Sequence, residues 1–401
     1  MLYNNSIEKL INLQGVIVKN IENTEKEIVI SIELKRKVHH CPSCSAETDK
    51  IHDYRKQTIK DISILGKNVY YILRKRRYSC HCCGKKFAEE NTFLPKYYRM
   101  TQRLIAFVIE SLKNEHSFTS ISKVVNLSVN TVIRIFDLVS YSNKKLPRVL
   151  SIDEFKGNTG NEKYQCILTD PENNVVLDIL PKRHNNYLIS YFKPYKDREK
   201  VEIFISDMWK PYTDIASTFL KNSMQVIDKY HWIRGIVWAF ESVRKEEQKK
   251  LSKQDRIYFK RSRSRLIKRF EFLPDYDKQA VNIMLYKSIK LSSAHFLKEE
   301  FFKILDTKDK FIAKKLLSDW ILMAQSSAIP SFEKYANTLI NWSYSILNSF
   351  DTKYTNGFTE GCNNKIKVLK RNAYGYRNFH RFRNRILHMF SHQKNQHRLP
   401  I

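Results

Sequence analysis

The sequence has few of the residues that mark flexible, fibrous or membrane-bound proteins. Its 401 residues include only 9 glycines and 10 prolines, which argues against collagen-like and linker-rich architectures. No run of about 20 apolar residues occurs, so we expect no membrane span. The first residues lack a basic stretch followed by an apolar core, and we therefore expect no export signal and a cytoplasmic protein.

Cysteine is also sparse and unevenly placed. The seven cysteines are odd in number and bunched, a distribution that favours reduced thiols or a bound metal over disulfides. It is typical of a protein from a reducing compartment.

Acidic residues are in marked deficit. There are 71 Lys+Arg against 41 Asp+Glu, giving a formal net charge of +30. A composition rich in Lys, Asn and Ile explains part of this surplus, but not the local clustering of bases. Such a charge predicts a polyanionic partner, and nucleic acid comes before membrane because no amphipathic anchor stands out. With 42% hydrophobic residues the chain can form real cores, and its length predicts two to four units.

Two CxxC pairs predict a structural zinc site near the N-terminus. Apolar and polar residues alternate over residues 14–35 and indicate two strands, and a further strand over 67–78 leads to the second pair. The two pairs have the knuckle spacing that places four thiolates on one tetrahedral zinc ion. We expect the ligands to be Cys41, Cys44, Cys80 and Cys83, while Cys82, His81, His39 and His40 are near enough to substitute.

A helix-turn-helix pattern follows the cysteines. Helical periodicity over residues 100–113 and 117–125, a turn at 126–128 and a third helix from residue 129 fit the tri-helical DNA-binding pattern. The same pattern is also found in other small helical bundles. The DNA-binding interpretation is therefore supported mainly by the positive charge of the chain and by the neighbouring cysteine pairs. The residues expected to face DNA are Val129, Asn130, Thr131 and Arg134, and those expected in the core are Val132, Ile133, Ile135 and Phe136.

Strand periodicity begins after Pro147 and carries two acids. Residues 148–157, 164–170 and 175–180 predict three strands, followed by a helix at 185–192 and strands at 201–209 and 224–228. Three meandering strands, a helix and a parallel strand are the order of a ribonuclease H-like α/β fold. Asp153 lies on the first strand and Asp207 on the fourth. Burying a charged carboxylate in an apolar strand costs free energy unless the carboxylate is paired or bound to a metal ion. Asp207 also suits a turn at a strand end, and Glu154 should point to the opposite face from Asp153.

A third acid lies far along the chain. Glu360 is the sole carboxylate after Asp351 and sits among amides and bases. Helical spacing places on one face Asn356, Glu360, Asn363, Asn364, Lys367 and Arg371. A lone carboxylate on such a face suits a divalent metal or a solvated ion pair. Residues 240–349, between the second and third acids, are helical in pattern and predict an all-α insertion.

Taken together, these motifs resemble those of the ISL3 family of bacterial insertion-sequence transposases over nearly the full length. The matching stretches are the CPSC and CHCC knuckles, the helix-turn-helix, SIDEF, ISDMWKPY, DKYHWIR and TNGFTEGCNNKIKVLKRNAYGYRNF. The resemblance implies a DDE catalytic domain in which Asp153, Asp207 and Glu360 hold Mg²⁺ or Mn²⁺. It also implies cleavage and strand transfer at terminal inverted repeats. Asp228 and His231 match an accessory DxxH motif, for which structural packing is an equal interpretation.

The chemistry of the acids agrees with that implication. Three carboxylates can hold two divalent ions, one activating the attacking hydroxyl and one stabilising the leaving oxygen, and oxygen ligands suit Mg²⁺ or Mn²⁺ rather than zinc. The bases expected to steady the scissile-strand phosphates are Lys365, Lys367, Lys370 and Arg371.

We therefore expect a multidomain α+β protein. We expect a zinc-binding module (1–92), a helix-turn-helix domain (93–146), a catalytic domain in two parts (147–239 and 350–401) and the helical insertion (240–349). The expected partners are double-stranded DNA, comprising terminal repeats and target, and a second copy of the chain, with no membrane and no small-molecule substrate. We expect the protein to be nucleoid-associated. A DNA-binding regulator with an inactive catalytic half is the main alternative, and a nuclease without strand transfer is a third.

Overall fold

The structure is a computed structural model that describes residues 11–13, 15–94, 97–142, 145–261 and 263–391. The chain forms two compact units. The first contains Met1–Tyr141 and Lys367–Ile401, and the second contains Ser142–Ile366. No helix within the described ranges is both long and apolar enough to cross a membrane.

The strands and helices follow one another in a simple order. The strands are β1 (Val16–Asn23), β2 (Glu27–Leu34), β3 (His39–His40), β4 (Glu47–Thr48), β5 (Ile51–Ile64), β6 (Lys67–Ser79), β7 (Lys86–Ala88), β8 (Val149–Phe155), β9 (Gln165–Asp170), β10 (Val175–Leu180), β11 (Ile203–Ser206) and β12 (Met224–Ile227). The helices are α1 (Gln102–Ser111), α2 (Phe118–Val124), α3 (Val129–Phe136), α4 (Asn185–Phe192), α5 (Lys210–Phe219), α6 (Lys229–Lys250), α7 (Lys253–Arg261), α8 (Arg263–Ile267), α9 (Asp275–Tyr286), α10 (Ile289–Lys303), α11 (Lys310–Gln325), α12 (Pro330–Leu347), α13 (Gly357–Asn372) and α14 (Phe379–Phe390).

The first unit begins with a five-stranded sheet in the order β1-β2-β6-β5, with β7 paired to β6. The two strands expected within residues 14–35 and the strand over 67–78 are confirmed. Val69, Tyr71 and Leu73 alternate along β6 and are fully buried, which is the period-two signature of a strand with one face on a core. Sequence reasoning missed β5, because its first half reads as a polar run.

Helices α1 to α3 form the expected three-helix group. Each begins at a hydroxyl residue, Thr101, Ser117 or Ser128, whose side chain accepts a hydrogen bond from a backbone N–H of the first turn. Such caps satisfy N–H groups that a helix end leaves unpaired. Val132, Ile135 and Phe136 are buried as expected. Ile133 was expected in the core but is half-buried, because it lies about 100° around the helix from the buried Val132.

Helix α14 also packs on this group. Its Arg385 is fully buried and donates hydrogen bonds to the backbone carbonyls of Leu112, which caps the C-terminal end of α1, and of Asn114 and His116 just beyond it. His388 bonds the carbonyl of Ile109 through Nε2 at 2.7 Å. The buried guanidinium thus bonds the carbonyl of Leu112, which the end of α1 leaves without a helical partner. Among the described residues, those from Lys367 to Ser391 fall in the first compact unit.

The second unit is built on a sheet in the order β10-β9-β8-β11-β12. The pairs β10·β9 and β9·β8 are antiparallel, and β11 is parallel to both β8 and β12. The strands expected at 148–157, 164–170, 175–180 and 224–228 are present with small changes of boundary. The strand expected at 201–209 is shortened to four residues, and Asp207 lies just beyond its end.

Helices α6 to α12 follow β12 and share one apolar core. The rings of Phe301 and Trp320 meet edge to face with centroids 4.9 Å apart, and Trp232 meets Phe301 at 5.5 Å. The helices between Asp207 and Glu360 therefore pack around one hydrophobic core, which also includes Ile227 of β12.

Arg385 provides a test of how α14 is held. Replacing Arg385 with Met should lower the free energy of unfolding by about 2–4 kcal/mol, because the buried carbonyl of Leu112 and two further carbonyls lose their donor. Chemical denaturation of the full chain measures this change. Arg377, which is exposed, is the matched control, and Arg377→Met should change stability by less than about 0.5 kcal/mol. Equal stability of the two variants would contradict the described role of Arg385.

Candidate functional site

The four predicted zinc ligands come together in the first unit. Cys41 and Cys44 follow β3, and Cys80 and Cys83 follow β6. Sγ atoms lie 3.5 Å apart between Cys41 and Cys83, between Cys44 and Cys80, and between Cys44 and Cys83. Tetrahedral zinc with Zn–S bonds of about 2.3 Å needs an S···S separation of about 3.8 Å. The cluster therefore has the ligand type, number and spacing of a structural zinc site.

The alternative ligands lie outside this cluster. Cys82 and His81 are exposed, and the N–H of Cys82 instead points to Sγ of Cys80 at 3.4 Å. The ring of His39 packs against Tyr78 with centroids 4.4 Å apart. His40 lies 3.9 Å from a carboxylate oxygen of Glu47. The geometry thus favours Cys41, Cys44, Cys80 and Cys83 as the four zinc ligands.

A second cluster forms at one edge of the second unit's sheet. Strands β8, β11 and β12 run parallel, so their carboxyl ends meet at the same edge. Asp153 lies near the end of β8, Asp207 follows β11, and Asp228 follows β12. His231 and Glu360 lie in the first turns of α6 and α13. Parallel strand ends and helix starts thus gather residues that are up to 207 positions apart.

The acids form two overlapping groups that share His231. Ligand atoms of Asp153, Asp207 and His231 lie within 4.8 Å of one another, and so do those of Asp228, His231 and Glu360. The three acids that sequence reasoning selected are therefore accompanied by a fourth. The only sequence signal for Asp228 was its place in the DxxH stretch. Both groups offer the oxygen and imidazole donors that divalent metals accept.

Burial and neighbouring negative charges raise the pKa values of two acids in this cluster, Asp153 and Glu360. Burial, followed by repulsion from Asp207, raises the pKa of Asp153 to about 7. Burial and the charge of Asp228 also raise the pKa of Glu360. Burial opposes protonation of His231, but the adjacent Asp207 outweighs it and the pKa of His231 is raised. A bound cation would relieve this repulsion, so the electrostatics fit a metal site.

Asp207 shows the same need for a positive partner. Nε2 of His231 lies 2.6 Å from Oδ1 of Asp207. That oxygen is nevertheless buried without a hydrogen bond of proper geometry among the described residues. The two side chains therefore lie close together, as ligands of one ion would, without forming an ordinary hydrogen-bonded ion pair. A buried carboxylate oxygen in this state suits a metal ion.

Buried polar contacts attach α13, the helix that contains Glu360, to the sheet. The hydroxyl of Ser151 on β8 donates to Oδ1 of Asn356, and Thr359 lies 2.7 Å from Thr169 on β9 through their hydroxyls. Nδ2 of Asn363 donates to Oδ2 of Asp153 at 2.7 Å. Asn356, Thr359 and Asn363 recur every three or four residues, so a single helix face makes all three contacts.

Asp228 also joins two elements. Its Oδ2 accepts from the N–H of Tyr230 at 3.0 Å and caps α6, while its Oδ1 accepts from the N–H of Asn356 at 2.9 Å. One carboxylate thus orients the starts of the helices that carry His231 and Glu360.

The predicted DNA-contact residues lie mostly on exposed helix faces. Asn130 and Arg134 on α3 are exposed, whereas Thr131 is half-buried with its hydroxyl 2.8 Å from that of Ser128. On α13, the exposed side chains are those of Lys365, Lys367 and Arg371, while Lys370 is half-buried. The expected common face of α13 divides, because Asn356 and Asn363 are buried and Asn364 is exposed.

The zinc cluster can be tested by metal analysis. Protein purified without chelator should contain one zinc ion per chain, and Cys44→Ser should lose it because three thiolates bind far more weakly than four. Cys82→Ser is the matched control and should keep its zinc. Elemental analysis of the three proteins measures this, and zinc loss in the Cys82 variant would contradict the ligand assignment.

The crowded acids predict a stability change at Asp153. Its folded-state pKa of about 7 lies above the ordinary 3.8. Protonation therefore favours the folded protein, fully at low pH, and that contribution is lost as pH rises through 7. Without divalent ions at pH 8, Asp153→Asn should raise the free energy of unfolding by about 1–3 kcal/mol.

The new amide can be accommodated, because Oδ1 of Asn363 has no hydrogen-bond partner among the described residues. The advantage of the variant should shrink as pH falls towards 4. Urea denaturation at several pH values measures it, with the exposed Asp319→Asn as control. A variant less stable than wild type at pH 8 would contradict the electrostatic description.

Comparison with known proteins agrees with these sites. A zinc-finger model of transposases IS204/IS1001/IS1096/IS1165 matches residues 37–83, and a helix-turn-helix model of transposase family ISL3 matches residues 89–140. The ISL3 transposase model matches residues 150–386, which is more than half of the chain.

Two curated proteins are also similar. The transposase for insertion sequence element IS1001 of Bordetella parapertussis is 25% identical over 405 residues, covering 94% of this chain and 96% of that protein. A protein of Lactococcus lactis subsp. lactis named as an ATP-dependent protease is 32% identical over 109 residues, covering 27% of this chain and 33% of that protein. The family matches, which cover the cysteine cluster, the three-helix group and the acid cluster, establish that the chain belongs to the ISL3 family of transposases.

Proposed function

We propose that this transposase cleaves DNA at the ends of its insertion sequence and joins the freed 3′-OH to target DNA. The observation that carries the proposal is the convergence of Asp153, Asp207, Asp228, His231 and Glu360 at one sheet edge. Membership of a transposase family supplies the DNA-processing role, and the acid cluster supplies a site suited to phosphodiester chemistry.

We further propose that the second unit's sheet is a ribonuclease H-like catalytic fold interrupted by an all-α insertion. The sheet order β10-β9-β8-β11-β12, with an antiparallel meander joined to two parallel strands, supports this assignment. Helices α6 to α12 would be the insertion. The five segments expected from sequence remain our proposal for the domains, with the end of the chain shared between catalytic and DNA-binding roles.

The carboxylates of Asp153, Asp207 and Glu360 would hold two Mg²⁺ or Mn²⁺ ions. When bound, such ions activate the attacking hydroxyl and stabilise the leaving oxygen. Asn363 holds the carboxylate of Asp153 in place through its amide donor, and Asp228 orients the helix carrying Glu360. Burial and neighbouring negative charge raise the pKa values of Asp153 and Glu360, and a bound cation would offset that repulsion. No step needs a covalent protein nucleophile.

We propose that the first unit recognises the terminal inverted repeats. Asn130, Thr131 and Arg134 would contact DNA from α3, as the recognition helix of a helix-turn-helix does in the major groove. The bases of α13, Lys365, Lys367, Lys370 and Arg371, would contact backbone phosphates. Two element ends must be brought together for joining, so we propose a homodimer on DNA.

The experiment is a cleavage and joining assay on the element's own terminal DNA with Mn²⁺. Asp153→Ala, Asp207→Ala and Glu360→Ala should each reduce cleavage by at least about 1000-fold, because each removes a ligand of ions that carry the chemistry. End binding, measured by gel shift, should change little. The exposed acid Asp319 is the matched control, and Asp319→Ala should cleave normally.

The outcomes separate the three functions. Wild-type binding without any cleavage would favour a DNA-binding regulator. Cleavage without joining would favour a nuclease. Wild-type rates in any one of the three alanine variants would contradict the catalytic assignment.

A further inference from the structure

A cavity of about 510 Å³ opens beside the acid cluster in the second unit. Its lining includes Asp207 and His231 from the acid cluster, together with Trp209, Trp238, Arg183 and Arg234. This volume lies within the range of about 300–1,000 Å³ typical of sites for small organic groups. The cavity is therefore large enough for a single nucleotide-sized group next to the proposed scissile phosphate.

Two indole rings at this cavity are unusually accessible. The side chains of Trp209 and Trp238 are 39% and 62% exposed. Each ring carries an arginine beside it, with Arg183 at 4.7 Å from the centroid of Trp209 and Arg234 at 4.6 Å from that of Trp238. Large aromatic faces left open to solvent next to arginines are typical of nucleic-acid stacking surfaces.

Arg234 has unused bonding capacity. It lies between the rings of Tyr230 and Trp238, one helical turn away on either side. Its Nε is buried and has no hydrogen-bond partner among the described residues. A cation held in place by two rings, with an unsatisfied donor, is suited to an incoming phosphate or base edge.

The floor of the cavity is closely packed. The hydroxyl of Tyr335 bonds the backbone carbonyl of Trp232. A Cβ added at Gly235 would come within 2.2 Å of the Tyr335 ring, so only glycine allows this close approach. The cavity is thus a built feature of α6 and α12 rather than a gap between loose side chains.

We propose that this cavity receives one nucleobase extruded from the DNA next to the scissile phosphate. The base would stack on Trp238 or Trp209, and Arg234 would contact the adjoining phosphate. An intact duplex offers no free base face, so stacking here requires an unpaired nucleotide. The proposal rests on the proposed function, because it assigns the DNA strand to the neighbouring acid cluster.

The test compares binding energies in a cycle of protein and DNA changes. Affinity for element-end DNA is measured in full-length Asp153→Asn protein, which should bind without cutting. Trp238→Ala should weaken binding about 5- to 150-fold, the range expected for losing one base–aromatic stack. Trp238→Phe should recover most of the loss, which shows that the ring and not only the fold is needed.

Abasic nucleotides then locate the contact. Each nucleotide flanking the cleavage site is replaced in turn by an abasic one. At one position the effect of Trp238→Ala, or of the parallel Trp209→Ala, should fall to less than twofold, because no base remains to stack. Phe272 is the matched control, since it is 72% exposed beside Arg269 and does not line the cavity. Phe272→Ala should leave all affinities unchanged.

Two results would overturn the inference. One is unchanged affinity in both tryptophan variants. The other is a loss that persists at every abasic position. Both are binding results and leave metal-dependent cleavage standing. Absence of cleavage by the wild-type protein, by contrast, would contradict the proposed function itself.

Discussion

The contact between helix α13 and the sheet is the constraint on which the proposed site depends. Glu360 is separated from the strand acids by a long helical region, so its position relies on tertiary contacts rather than on chain proximity. Ser151, Thr169 and Asp153 on the sheet meet Asn356, Thr359 and Asn363 on the helix. Each such buried hydrogen bond contributes about 1 kcal/mol net, and a partner left unpaired costs more. The polar helix face therefore sets register as well as adding stability.

That anchoring opposes a strong electrostatic cost. Acids brought to one edge repel one another, and burial followed by repulsion from Asp207 raises the pKa of Asp153 to about 7. The fold tolerates the repulsion because neutral amides and hydroxyls hold the cluster together without neutralising it. Asp228 has a different part, since both of its oxygens accept backbone N–H groups. Asp228 positions the first turns of α6 and α13, and its bond to the N–H of Asn356 explains why it lies close to Glu360.

Much of this arrangement was predictable from local pattern, and the rest was not. Apolar alternation located β8 with Asp153, and hydroxyl caps located α1 to α3, because these signals are contained within a few residues. The strand β5 was missed because its first half is largely polar and does not show the alternation of apolar and polar residues that predicts a strand. The contact of Asp228 with the α13 backbone joins residues 128 positions apart, and that of Arg385 with Leu112 joins residues 273 apart. No spacing rule encodes such pairs, because they arise only once the elements pack.

The central claim is that the acid cluster binds divalent metal, and localised cleavage by bound iron tests it most directly. Fe²⁺ substitutes for Mg²⁺ at oxygen-rich sites, and with ascorbate and peroxide it cuts nearby backbone. In the full-length protein we expect cuts close to residues 153, 207 and 360, all suppressed by excess Mg²⁺. Cuts confined to other parts of the chain, or cuts that excess Mg²⁺ leaves unchanged, would contradict the claim.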